Sequence, residues 1–302
     1  MPNPQDERRV NDLPHTEAIN ERTRDMDLLP TADLVELLIH EQDEAIAAVA
    51  AARREIADVV DIVAARLRSG ARLHYVGAGT SGRLGFLDAS ECPPTFGTPP
   101  EMVCAHIAGG SGAIVSAVEG AEDDRAAGAA EMRAHAGPND VVIALSASGS
   151  APFVVGALTS AKERGAWTVA VTHDARTDVA QAADATIVLR TGAEPLAGST
   201  RLRAGTAQKV LLNAISTATM IRLNKVYDNL MIDVVATNQK LRRRALRLVM
   251  QLTDLDERGA SELLEQAGGS VKVAAVMRRR NVSRKEAQAC LEAVGGSLRR
   301  AL

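Results

Sequence analysis

The residues with the clearest chemical potential lie in two short stretches rich in hydroxyls. Gly77-Ala78-Gly79-Thr80-Ser81-Gly82 sits where an apolar run, Leu73-His74-Tyr75-Val76, hands over to a helical pattern. Ser146-Ala147-Ser148-Gly149-Ser150 follows a second apolar run, Val141 to Leu145, and Ala151-Pro152 opens the next helix. Neutral hydroxyls beside the N–H groups of a helix start suit a phosphate dianion. Read singly, either stretch is an ordinary helix cap. Two of them at the carboxyl ends of strands in one sheet point to a small phosphorylated metabolite, held by Gly79, Thr80, Ser81, Ser146, Ser148, Gly149 and Ser150. The first stretch also matches GxGxxG. A dinucleotide site needs an acid at the end of the second strand, and that strand ends Ala108-Gly109-Gly110. Neither stretch is a GxSxG elbow, and no histidine is placed by sequence to activate a serine, so a hydrolase triad is not supported.

Two carboxylates stand near these stretches. Glu91 lies in Asp88-Ala89-Ser90-Glu91-Cys92-Pro93-Pro94, ahead of what reads as a rigid Pro-Pro turn. Glu122 lies in Glu119-Gly120-Ala121-Glu122-Asp123-Asp124, after the helix that follows the second strand. From the residues alone each reads as a solvated loop carboxylate. Six scattered histidines show no HExxH or HxxxH pair, so no metal site is legible. Cys92, Cys104 and Cys290 make neither a CxxC pair nor a disulfide scaffold, which suits a reducing, cytoplasmic compartment.

The elements that must position these groups follow from period. Leu34, Leu37, Leu38, Ile46, Val49, Ile56, Val59, Val60, Val63 and Leu67 predict one or two amphipathic helices over 31–68, with Thr31 as N-cap. Residues 1–30 read as a polar arm. After Gly70, apolar runs ending in Gly or Ser alternate with helical stretches, including one from Ala113 to Glu119. Runs apolar on both faces suit a parallel sheet covered by helices. This predicts a doubly wound α/β domain with its ligand at the carboxyl ends of the strands. Helices return from about Ala204, and Gln239 to Leu252 carries Arg242, Arg243, Arg244 and Arg247, read as a solvated face. Three short helices beyond Asp254 predict a small all-α module. The expected division is 1–55, 56–250 and 251–302.

The 302-residue composition bounds the partners. A net charge of −3 excludes a strongly basic nucleic-acid surface, and a 2% aromatic share excludes a base-stacking platform. No stretch reaches eighteen uncharged apolar residues, so no membrane span is expected.

Val76-Gly77-Ala78-Gly79-Thr80-Ser81-Gly82-Arg83-Leu84-Gly85, running into Leu87-Asp88-Ala89-Ser90-Glu91-Cys92-Pro93-Pro94-Thr95, resembles the signature of the N-acetylmuramic acid 6-phosphate etherases of the sugar isomerase (SIS) superfamily. Thr16-Glu17 with Asn20, Glu119-Gly120-Ala121-Glu122-Asp123, Arg203-Ala204-Gly205-Thr206-Ala207-Gln208-Lys209 and Ala267-Gly268-Gly269-Ser270-Val271-Lys272 resemble further blocks of that family, which therefore covers nearly the whole chain. Departures are Arg203 where Lys is usual, Thr23 where Ser is usual, and Asn224 and Asp228 where Gly is usual. The resemblance implies a SIS fold flanked by N-terminal helices and a C-terminal ubiquitin-associated-like module. It implies hydrolytic removal of D-lactate from a muramic acid 6-phosphate, without cofactor, in recycling of peptidoglycan sugars. It makes Glu91 and Glu122 the catalytic pair, Glu91 as proton donor and Glu122 as base at C2, with the reverse division as the alternative. Lys209 and Asn213 stand on the helix after the sheet, with reach to the site or a structural role equally open. A homodimer is implied. The rival readings are a SIS-type sugar-phosphate isomerase and a non-catalytic sugar-phosphate-sensing regulator.

Overall fold

Largely apolar runs of four to six residues dominate the middle of the chain, and in the computed structural model, which describes residues 15–234 and 239–302, they become strands. Contacts divide the chain into one unit of Met1–Ala89 with Glu101–Ile215 and another of Ser90–Pro100 with Ser216–Leu302. The sequence boundaries at 55/56 and 250/251 instead fall inside helices.

The first unit opens with 3-10 turns at His15–Glu17, Glu21–Thr23 and Met26–Leu28. Of the polar arm expected over 1–30, residues 1–14 lie outside the described residues. The rest is anchored: Thr23 Oγ1 donates to the Pro195 carbonyl at 2.8 Å, and Gly198 N–H donates to the Thr16 carbonyl at 3.0 Å. Helices α1 (Thr31–His40), α2 (Asp43–Ala51) and α3 (Arg53–Arg68) follow. Pro30, not Thr31, holds the N-cap of α1, since its ring fixes φ at −56° with ψ extended and the helix starts one residue later.

Then come β1 (Leu73–Gly77), α4 (Gly79–Phe96), β2 (Val103–Ile107), α5 (Gly112–Val115), α6 (Arg125–His135), β3 (Val141–Leu145), α7 (Pro152–Glu163), β4 (Trp167–Thr172), α8 (Asp178–Ala182), β5 (Ala185–Val188) and α9 (Arg203–Arg222). The strands pair in parallel in the order β2-β1-β3-β4-β5. Every residue of β1 and β3 is buried; β3 accordingly reads as an unbroken apolar run, and β1 as one interrupted by the hydrogen-bonded His74. This is the doubly wound sheet expected, and its order reverses between β1 and β3. At such a switch point the two following loops leave in opposite directions and open a crevice. Helix α5 stops at Val115 rather than Glu119. Val115 is 88% exposed, so nothing apolar is buried to hold a further turn. The expected Pro-Pro turn is helix instead: α4 runs through Pro93 and Pro94 to Phe96. Cys92 and Phe96, one turn apart and both buried, pin that last turn despite the missing N–H groups.

The second unit holds a two-stranded hairpin, β6 (Val226–Tyr227) and β7 (Leu230–Met231), then α10 (Gln239–Thr253), α11 (Glu257–Gln266), α12 (Val271–Arg280), α13 (Arg284–Ala293) and α14 (Leu298–Ala301). Asn224 and Asp228, which stand where Gly is usual, have φ of 61° and 55°. Asn and Asp are the side chains that best tolerate this left-handed region, so both turns survive. Leu241, Ala245, Leu248, Val249 and Leu252 of α10 share one core with Val271, Val273, Ala274, Ala275 and Val276 of α12, which ties α10 to the C-terminal helices. Asp256, Ser270 and Ser283 cap α11, α12 and α13 through their side-chain oxygens. None of the described helices is long and apolar enough to cross a membrane.

Candidate active site

Strand β1 ends at Gly77 and α4 begins at Gly79, so Thr80 and Ser81 stand in the first turn of a helix, where N–H groups have no partner within the helix. Packing explains the tightness. A Cβ on Gly77 would lie 2.7 Å from Gly82 N, and one on Gly82 would lie 2.5 Å from Ile107 Cγ1. The glycines let helix and strand approach closely, and the hydroxyls ride on that contact.

The loop after β3 is built differently. Ser146 Oγ accepts the Gly149 N–H at 3.1 Å, and Ser148 Oγ accepts from Ser150 Oγ at 3.0 Å. Gly149 has φ of 73°, and a Cβ there would meet Thr177 Cγ2 at 2.4 Å. Helix α7 then starts at Pro152.

Between the two loops lies a cleft of about 260 Å³, lined by Gly79, Thr80, Ser81, Ser146, Ser148 and Glu122 among others. Gly149 and Ser150 shape the second loop without lining the cleft. Glu122 sits on a 3-10 turn, Ala121–Asp123, entered through Gly120 at φ 71°. In that acidic run Asp124 has a structural task, accepting the Ala127 N–H at 2.8 Å as N-cap of α6. Glu122 is exposed and also borders a second cleft of about 190 Å³, lined by Ala113, Ala117, Val118 and Arg83. Glu91 is exposed on α4, eleven residues beyond Thr80, and belongs to the second unit. Lys209 and Asn213 pair with each other on α9 at 2.6 Å.

The cleft has contributors that the sequence does not single out as site residues: Glu17, Gly198 and Thr200. Glu17 comes from the anchored N-terminal turn, Gly198 and Thr200 from the segment before α9. Glu17 falls in the family-like block Thr16-Glu17, but no local pattern assigns it, Gly198 or Thr200 to the cleft, because long-range bonds bring them in. Arg203 holds that segment. Its Nε donates to the Glu41 carbonyl at 2.7 Å, Nη1 donates to the Ala193 carbonyl at 2.6 Å, and Nη2 pairs with the Glu41 carboxylate. A guanidinium fork serves these acceptors at once and an ammonium does not, which accounts for Arg in place of Lys. Glu194 accepts the N–H groups of Arg203 and Ala204 at the start of α9. Burial holds its carboxyl above the usual range against those bonds. Past the end of β4, His173 is buried, its Nδ1 sharing a hydrogen bond with Thr191 Oγ1 at 2.9 Å while Nε2 has no hydrogen-bond partner among the described residues. Burial pushes its imidazole down to about 4.

Comparison with known proteins places this geometry. Residues 55–162 match the N-terminal SIS domain of glucokinase regulatory protein, and residues 114–218 match the SIS domain. The N-acetylmuramic acid 6-phosphate etherase of Symbiobacterium thermophilum is 52% identical, covering 86% of this chain and 87% of that protein. The etherase of the same name from Gloeobacter violaceus is 50% identical over 94% of this chain and 93% of its own. The solved structure of a phosphoheptose isomerase from Francisella tularensis is 14% identical, covering 64% of this chain and 100% of that one, with a TM-score of 0.49. At half identity over nearly their whole length, the etherases and this chain share more than a fold: the chain belongs to the N-acetylmuramic acid 6-phosphate etherase family.

Proposed function

We propose that the hydroxyl-lined cleft at the switch point holds the 6-phosphate of N-acetylmuramic acid 6-phosphate while Glu122 and Glu91 carry the chemistry. The chain, as a member of its family, cleaves the D-lactyl ether of that sugar with water, giving N-acetylglucosamine 6-phosphate and D-lactate. The observation that carries the site reading is the convergence of Thr80, Ser81, Ser146 and Ser148 with Glu122 on one cleft.

The residues suit an elimination. An ether is a poor target for direct displacement. With the pyranose opened, C1 is an aldehyde and the C2 hydrogen is acidic. Glu122 takes that proton, the C3–O bond breaks, and the departing lactyl oxygen takes a proton from Glu91, leaving an unsaturated aldehyde. Water adds at C3 and a proton returns to C2. Each acid or base step is worth about 10²- to 10⁴-fold. The Glu91 assignment rests on the family signature around it, and the two roles are exchangeable. Holding the phosphate fixes C2 and C3 relative to Glu122 on the same cleft. The reading includes a homodimer, supported by α1, which carries Leu34, Val35, Leu37, Leu38 and Ile39 yet buries none of its residues. Light scattering should then give twice 31.8 kDa, and a monomer would refute it. It also includes a reducing cytoplasmic setting, supported by cysteines that carry no disulfide. A mass shift with a thiol-labelling reagent under non-reducing denaturation would drop this last point if it showed fewer than three labels.

Incubation with N-acetylmuramic acid 6-phosphate tests the activity. D-lactate should form one-for-one with the amino sugar phosphate, and an isomerase would release none. Glu122→Gln and Glu91→Gln should each lower kcat by about 10²-fold or more with KM little changed. Full turnover in either variant removes that residue from the pair.

A further inference from the structure

Away from the cleft, a chain of polar side chains crosses the edge of the sheet under α6. Asp140, just before β3, accepts the Arg72 N–H at 2.7 Å through Oδ1, and the Gly137 N–H at 2.7 Å and Arg72 Nη2 at 3.1 Å through Oδ2. These partners only donate, so both carboxylate oxygens accept. His74 Nε2, 3.2 Å from Oδ2, must therefore donate to it. A neutral His74 then presents a bare Nδ1 to His106 Nε2 at 3.0 Å, so His106 donates there. That fixes the tautomer of His106 and leaves its Nδ1 bare, facing Glu131 Oε1 at 2.7 Å. Two lone pairs cannot rest at that distance. Two neutral imidazoles bring two N–H groups to a chain of three links, and a positive centre must fill the third.

A third donor converges on the same place. His135, one helical turn after Glu131 on α6, brings Nε2 to 3.5 Å from Glu131 Oε1. The ligand atoms of His106, Glu131 and His135 all lie within 4.8 Å of one another. Donors placed tetrahedrally about 2.0–2.1 Å from a zinc ion stand roughly 3.3 Å apart, so a small opening of the His106–Glu131 pair admits the ion. A bridging proton would need two of these groups; three converge.

We propose that His106, Glu131 and His135 form a binding site for a divalent first-row transition metal ion, zinc by its donor set, that ties α6 to the edge strand β2. Two imidazoles and a carboxylate leave a fourth position for water. His74 and Asp140 are positioning residues that aim the bare Nδ1 of His106 outward, the arrangement by which metal-bound histidines are usually oriented. The spacing Glu131-Met132-Arg133-Ala134-His135 is the one local trace of this in the sequence.

Cobalt titration of the tag-free, chelator-treated full chain tests it. One equivalent of cobalt should give visible absorption bands that zinc abolishes, and zinc should raise the thermal midpoint. His135→Ala changes a side chain that is 52% exposed, so it should fold as the parent does and bind cobalt at least tenfold more weakly. Glu131→Gln should do the same. No saturable binding by the unmutated chain would mean that the third link holds a proton, and would overturn the proposal. So would binding unchanged in both variants, which would put the ion elsewhere.

Discussion

The two loops at the switch point reach similar composition by different means. The turn after β1 is a packing device: Gly77 and Gly82 let α4 start at once, and its donors are largely the backbone of a helix start. The turn after β3 is a hydrogen-bonding device, its serines bonded to each other and to Gly149 before any ligand arrives. The first loop should therefore fail through backbone changes and the second through loss of hydroxyls.

The largest effect that would break this contrast is on stability. Gly77→Ala sets a Cβ 2.7 Å from one backbone atom and 2.9 Å from another, neither of which yields as a flexible side chain would. A loss of about 3 kcal/mol is expected in urea unfolding, and a loss under about 1 kcal/mol would deny that packing sets the first loop. Next comes the end of β4, which offers a buried imidazole in place of hydroxyls. The native pKa of His173, about 4, lies below the ordinary 6.5. Below 6.5 the unfolded chain takes up a proton that the native state refuses, so stability present at neutral pH falls as pH drops toward 4. From about pH 7 to 5 the loss assigned to His173 is about 2 kcal/mol, and His173→Gln should lack it. An unchanged pH slope in the variant would contradict this. Smaller still, Ser148→Ala should raise KM about tenfold, the worth of a hydrogen bond to a charged group, with kcat held. Ser81→Ala should change KM less, because the helix N–H groups remain. The opposite ranking would reverse the assignment of the loops.

Much of this is legible in sequence for a physical reason. Strands buried on both faces must be apolar wherever no partner satisfies a polar group, and loops at carboxyl ends must carry their own donors, so β3, β1 around its hydrogen-bonded His74, and both hydroxyl stretches stand out. What escapes depends on long-range pairing. Glu17 joins the cleft because Thr16 and Thr23 bond to residues near 195–198. The helix through Pro93-Pro94 depends on burial of Cys92 and Phe96, and the histidine chain depends on strand register, since His74 and His106 meet across β1 and β2. Arg203 reads in sequence as a mild departure from family pattern and is instead the clasp of the segment that brings Gly198 and Thr200 to the cleft.

The most direct measurement runs the reaction with N-acetylmuramic acid 6-phosphate in heavy water and reads the product by proton NMR. Abstraction by an exposed Glu122, followed by hydration of the unsaturated aldehyde, predicts one deuterium at C2 of N-acetylglucosamine 6-phosphate for each D-lactate released. Release of D-lactate with only protium at C2 would contradict the elimination.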